Sequence, residues 1–203
     1  MVENRTSNTS KNKGVAVWLT GLSGAGKTTI ANALHEKLKL LNANCKQLDG
    51  DLLRNGINAG LGFSDEDRLE NIRRAAEIAK LFVESDFVTI CSFITPKEKM
   101  RKLAREIIGK DNFIEVYVNC SFEECEKRDV KGLYNKARGG TIANFTGMTS
   151  SFDPPAKPDI VIDTEHKSIE TCTTIVYNKL IEVLRSKNTI DENTVAEKKF
   201  SIS

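Results

Sequence analysis

The chain predicts an α/β fold, a three-layer sandwich on a mainly parallel five-stranded sheet. Three observations predict it. Five short apolar, β-rich runs recur along the 203 residues. Segments with helically spaced apolar residues separate them, and this alternation means a parallel sheet covered on both faces, with right-handed crossovers. The first run leads straight into Gly21-Leu-Ser-Gly-Ala-Gly26-Lys27-Thr28, a full match to the G-x-x-x-x-G-K-[ST] phosphate loop.

Val15-Ala-Val-Trp-Leu-Thr20 is the strand that such a loop must follow. Glycines let the backbone turn so that successive N–H groups converge on phosphate oxygens. Lys27 reaches the β- and γ-phosphates in this motif, and the Thr28 hydroxyl sits on Mg²⁺. The segment from Thr29 to Leu41 carries apolar residues at Ile30, Ala33, Leu34, Leu38 and Leu41, the spacing of a helix. Its N-terminus adds partial positive charge beneath the phosphates. Four constrained positions recur by chance in about one chain in a hundred of this length. The flanking strand and helix answer that objection. The expected fold is therefore of P-loop NTPase type, with Gly21, Ser23, Gly24, Ala25, Gly26, Lys27, Thr28 and Thr29 as the ATP-binding loop.

Cys45 to Leu48 is a second strand, leading to Asp49-Gly-Asp51 at its C-terminal edge, where open α/β sheets bind ligands. A short helix carries Leu52, Leu53, Arg54 and Ile57 until Asn58-Ala-Gly-Leu-Gly62 breaks it. Ser64 is a predicted N-cap, with Asp65, Glu66 and Asp67 in the first turn. That helix runs to about Glu84 with Leu69, Ile72, Ala76, Ala79 and Val83 inward. Phe87–Cys91 and Phe113–Val118 are further strands, and between them Pro96 opens a Lys/Arg-rich helix to Ile108. A short helix from Phe122 to Arg128, a strand at Ile160–Ile162 and a last helix from Ile169 to Leu184 complete the domain.

Residues 129–153 show neither periodicity, yet hold Lys131, Lys136, Arg138, four glycines and two phenylalanines. An irregular insertion of this length in a compact domain predicts a mobile lid. The polar residues 1–13 predict a disordered leader, 14–186 the folded domain, and 187–203 a polar tail.

Composition excludes several classes. Apolar residues make up 39% and charged residues 29%, and no apolar run nears the 18 residues of a membrane span. A net charge of +2 is no signature of nucleic-acid binding. Five scattered cysteines without a C-x-x-C pair, and no secretory signal, predict a reducing compartment and a cytoplasmic protein, with an organelle still open. His35, His166 and Trp18 read as structural residues.

γ-Phosphoryl transfer needs Mg²⁺, cationic clamps and a group that orients or deprotonates the acceptor hydroxyl. Asp49 and Asp51 supply the carboxylates, either of which suits the proton or metal-bound water. Arg54 stands near Asp51 on its helix, and with Arg68 offers fork-shaped donors for an anion. Arg73 and Arg74 read as a solvated face. An anionic acceptor with an aromatic base for Phe63 or Phe145 to stack on fits this set.

Taken together, the phosphate loop, Leu48-Asp-Gly-Asp51, Leu61-Gly-Phe-Ser64 with Asp67-Arg68, and Glu70-Asn-Ile-Arg-Arg74 closely resemble adenylylsulfate (APS) kinases. So do Arg128-Asp-Val-Lys-Gly-Leu-Tyr134, Lys136-Ala-Arg138 and Asn144-Phe-Thr-Gly147. The resemblance covers Gly14 to Leu184. It implies transfer from MgATP to the ribose 3′-hydroxyl of APS, giving PAPS and ADP, in sulfate activation. It further implies that Lys27, Asp49 and Asp51 are catalytic, and that Arg54, Arg68 and Asn71 hold phosphosulfate and ribose. Phe63 and Phe145 would sandwich the APS adenine, and Ile94, Thr95, Lys131 and Asn144 would complete that pocket. Arg128 becomes the lid cation near the ATP adenine. The family also implies a homodimer, and ATP sulfurylase as a functional partner.

Three stretches depart from the family. Leu52 replaces an asparagine, Thr95 replaces a serine, and Gly139-Gly-Thr141 stands where Ala-Gly-Glu is usual. A nucleotide or sugar kinase is the nearest alternative, and the Asp-Gly-Asp pair with two aromatics argues against a sugar acceptor. A GTP switch would need Asn-Lys-x-Asp, but Asn135-Lys-Ala-Arg138 lacks the acid. A regulatory module without turnover would be expected to have lost Lys27, Thr28 or the carboxylates.

Overall fold

The computed structural model describes residues 14–142 and 144–187. The expected leader, and all of the expected tail except Lys187, lie outside the described residues.

The chain runs β1 (Val15–Thr20), α1 (Lys27–Leu40), β2 (Cys45–Asp49), α2 (Gly50–Arg54), α3 (Asp65–Glu84), β3 (Val88–Ser92), α4 (Glu98–Ile108), β4 (Phe113–Asn119), α5 (Phe122–Arg128), α6 (Leu133–Arg138), β5 (Ile160–Asp163) and α7 (Ile169–Ser186). A single turn of 3₁₀ helix at Lys110–Asn112 leads into β4. The five strands form one sheet in the order β2-β3-β1-β4-β5, and every pairing is parallel.

Strand periodicity divides the core. Successive side chains of β1 point to opposite faces. Val15, Val17 and Leu19 pack with Ile30, Leu34 and Leu38 of α1 and Val176, Leu180 and Leu184 of α7. Ala16 and Trp18 pack on the other face with Ile72, Ala76 and Ala79 of α3 and Met100 and Ala104 of α4. Trp18 stacks against Phe93 at 4.9 Å and Phe113 at 5.7 Å between ring centres. With both faces covered, every residue of β1 is buried, which suits the continuous apolar run.

Ser64 caps α3 as expected, its hydroxyl accepting from the Asp67 N–H at 3.1 Å. Other expectations need adjustment. Ala31 rather than Ala33 reaches the core from α1. Pro96 lies before α4, whose N-cap is Lys97. Residues 129–153 are not wholly irregular, because they contain α6. That helix is held by Asp129, whose carboxylate accepts from the N–H groups of Tyr134 at 3.0 Å and Asn135 at 3.1 Å. All five cysteines are free, and four are buried. No described helix is long and apolar enough to cross a membrane.

Candidate nucleotide and acceptor site

The phosphate loop leaves β1 at the centre of the sheet, between β3 and β4, where one crossover runs to β2 on one side and a later one, from β3, to β4 on the other. Such a switch point opens a crevice beyond the strand ends. Gly24 and Gly26 take φ of 78° and 94°, a region where side chains are strained. A Cβ on Gly24 would also lie 2.8 Å from the Cys125 carbonyl oxygen. The ammonium of Lys27 curls into the loop and donates to the carbonyls of Gly21 at 2.9 Å and Leu22 at 2.6 Å. Burial lowers its pKa to about 8.

β2 delivers Asp49 to the same place. The Thr28 hydroxyl donates to Asp49 Oδ2 at 3.0 Å, and Asp49 Oδ1 accepts from the Asp51 N–H at 2.9 Å as the N-cap of α2. A hydroxyl and a carboxylate in contact beside a triphosphate loop form an oxygen donor set suited to Mg²⁺.

A cavity of about 590 Å³ extends from this loop across the sheet edge. Its donor half is lined by Ser23, Gly24, Gly26, Lys27, Thr28, Thr29 and Arg128. Asp49 and Asp51 lie between the halves. The acceptor half brings together Arg54, Phe63, Arg68, Asn71, Ile94, Lys131, Asn144 and Phe145, drawn from six separate stretches of chain. The guanidinium of Arg54 stacks over Phe63 at 4.4 Å and donates to the carbonyls of Leu61 and Gly62. Arg68 donates to the Phe63 carbonyl at 3.0 Å and to Asn144 at 2.6 Å, tying α3 to the far end of the insertion. Burial disfavours the charge of both arginines, and Arg54 further disfavours that of Arg68. Two desolvated cations side by side call for an anion. Lys131 reaches across from the insertion to pair with Asp51.

The aromatic pair is asymmetric. Phe63 is 49% exposed, whereas Phe145 is 7% exposed with its ring edge-on to Tyr134 at 4.9 Å. Gly21 and Ala25 shape the loop from behind and do not line the cavity. Neither does Thr95, and here the sequence reading needs correction. Thr95 is 1% exposed, and its hydroxyl accepts from the Trp18 indole N–H at 3.0 Å. Its φ of +43° turns the chain so that Ile94 and Pro96 face the cavity instead.

The structure adds residues that sequence reasoning passed over. Tyr134 donates from its hydroxyl to the Ser23 carbonyl at 2.9 Å, fastening α6 to the phosphate loop. Thr164, after β5, donates to the Ala25 carbonyl at 2.8 Å and accepts from Arg128 at 2.8 Å. Tyr134 ends the Arg128–Tyr134 motif, whose spacing signals no role for it. For Thr164 no local signal existed.

A phosphate loop at the switch point of a five-stranded parallel sheet, opening onto a shared acceptor cavity, places the chain among the P-loop kinases. The adenylylsulphate kinase family model matches residues 13–163, and the chain belongs to that family. It is 51% identical over 173 residues to the adenylyl-sulfate kinase of Bacteroides thetaiotaomicron, covering 85% of this chain and 84% of that one. It is 50% identical over 179 residues to that of Halothermothrix orenii, covering 88% and 94%. The solved APS kinase of Mycobacterium tuberculosis, in complex with AMPPNP and APS, superimposes with a TM-score of 0.79 at 40% identity. It covers 83% of this chain and 98% of that one.

Proposed function

We propose that this protein phosphorylates the ribose 3′-hydroxyl of APS with ATP, releasing PAPS and ADP. One observation carries the reading. The phosphate loop and the arginine- and aromatic-walled half share a single cavity of about 590 Å³, so donor and acceptor can meet without leaving it. Relatives named for this activity, and a neighbour solved with AMPPNP and APS, support it.

Loop N–H groups and Lys27 hold the triphosphate, and Arg128 flanks the ATP base. Thr28 and Asp49 would hold Mg²⁺, which would supply positive charge against the triphosphate. Asp49 is thereby committed to Thr28 and to the start of α2. Asp51 is left to take the 3′-hydroxyl proton once Lys131 turns to the substrate. Arg54 and Arg68 exchange carbonyl partners for phosphosulfate oxygens, Asn71 bonds the ribose side, and Phe63 and Phe145 flank the adenine. Ile94 and Asn144 close that pocket. Residues 129–153 act as the lid, excluding water that would otherwise hydrolyse ATP. The reading extends to a cytoplasmic homodimer supplied with APS by ATP sulfurylase.

ADP release is measured with APS, with adenosine 5′-phosphate, or with no acceptor. Release only with APS is expected. Turnover with adenosine 5′-phosphate but not APS would reassign the protein as a nucleotide kinase.

A further inference from the structure

We propose that Asn58 is a positioning residue for the acceptor, locking the Asn71 side-chain amide so that its nitrogen faces the cavity. The inference rests on the reaction proposed above. Asn58 lies in the turn between α2 and α3, and its side chain is fully buried. Its backbone is committed on both sides, donating to Leu53 at 2.8 Å and accepting from the Leu61 N–H at 3.0 Å. The side chain is therefore held in place. Its Nδ2 donates to Asn71 Oδ1 at 3.0 Å, while its own Oδ1 is buried with no hydrogen-bond partner among the described residues.

That arrangement is a poor choice for packing alone, since an orphaned buried oxygen is unfavourable and an apolar side chain would avoid it. Asn71 stands one turn after Arg68 on the cavity side of α3. With Oδ1 occupied, the group it offers the cavity is a donor. The polar edge of an acceptor carrying ribose, phosphate and sulfate oxygens needs donors. An amide oxygen in the same place would meet those atoms lone pair to lone pair.

The test uses Asn58→Asp and Asn58→Ala, each alone and combined with Asn71→Ala, with a melting curve for every variant. Asn58→Asp keeps the shape and, when ionised at the high end of the assay pH range, can only accept, so it turns the Asn71 amide around. KM for APS should rise on the order of tenfold in Asn58→Asp, the scale of one hydrogen bond, and less in Asn58→Ala. KM for ATP should stay within about twofold, and neither substitution should add a further loss once Asn71 is alanine. Equal losses with and without Asn71, or parallel rises in KM for both substrates, would overturn the proposal and make Asn58 a structural residue. If Asn58→Asp does not fold, Asn58→Ala read in the two backgrounds decides the same question. Absence of APS-dependent turnover in the unmutated protein would overturn the assigned reaction, and this proposal with it, before any variant is read.

Discussion

Thr95 and Lys27 are two residues whose surroundings decide what they do. The Thr95 hydroxyl is the buried partner of the Trp18 indole, 77 positions away in the chain. Thr95→Ala should therefore cost about 1–3 kcal/mol through an unpaired buried N–H, read as a lower urea midpoint. KM for APS should change little. A raised KM for APS with unchanged stability would make the hydroxyl a substrate contact instead. Lys27, with its pKa lowered to about 8, loses its proton as pH rises through that value, and a bound triphosphate restores it. ATP binding should thus take up a proton near pH 8 but not at pH 6, and affinity should fall as pH climbs past 8. Calorimetry in buffers of different ionisation enthalpy reads this directly. Lys27→Arg, always charged, should abolish the uptake. The sequence leaves open which of Asp49 and Asp51 meets Thr28, whereas the positions of Lys27 and Thr28 were legible because motif spacing alone places them. The role of Thr95 was not, because its partner comes from the strand before the loop.

Among the elements, the strands and long helices were readable from periodicity, and α6 was not. Six residues make fewer than two turns, too few to display a spacing. Its stabilising carboxylate also stands outside the usual cap position, reaching from Asp129 to Tyr134 and Asn135. Because α6 carries the Tyr134 bond to the phosphate loop, its integrity reaches the donor site. Asp129→Ala should destabilise this helix locally by about 1 kcal/mol. Amides of Tyr134 and Asn135 should then exchange several-fold faster, with KM for ATP raised and the melting temperature nearly unchanged. Unaltered exchange at these amides would remove Asp129 from that role.

At the scale of the whole molecule, alternation of strands and helices predicted a parallel sheet but left the strand order open. That order depends on which way each crossover turns. Only the assembled order β2-β3-β1-β4-β5 puts the phosphate loop at a switch point, with Asp49 arriving from the edge strand and Thr164 from the opposite edge. The acceptor half is likewise a product of assembly. Phe63 precedes α3, while Phe145 comes from the insertion, and Arg68 joins the two regions through Asn144. Neither a helix nor a loop taken alone contains that site. The most direct measurement of the central claim is phosphorus NMR of the product formed from MgATP and APS. One new phosphomonoester on the ribose 3′-oxygen is expected, with the phosphosulfate intact and ADP in equal amount. Phosphate appearing elsewhere on the acceptor, or inorganic phosphate in its place, would contradict it.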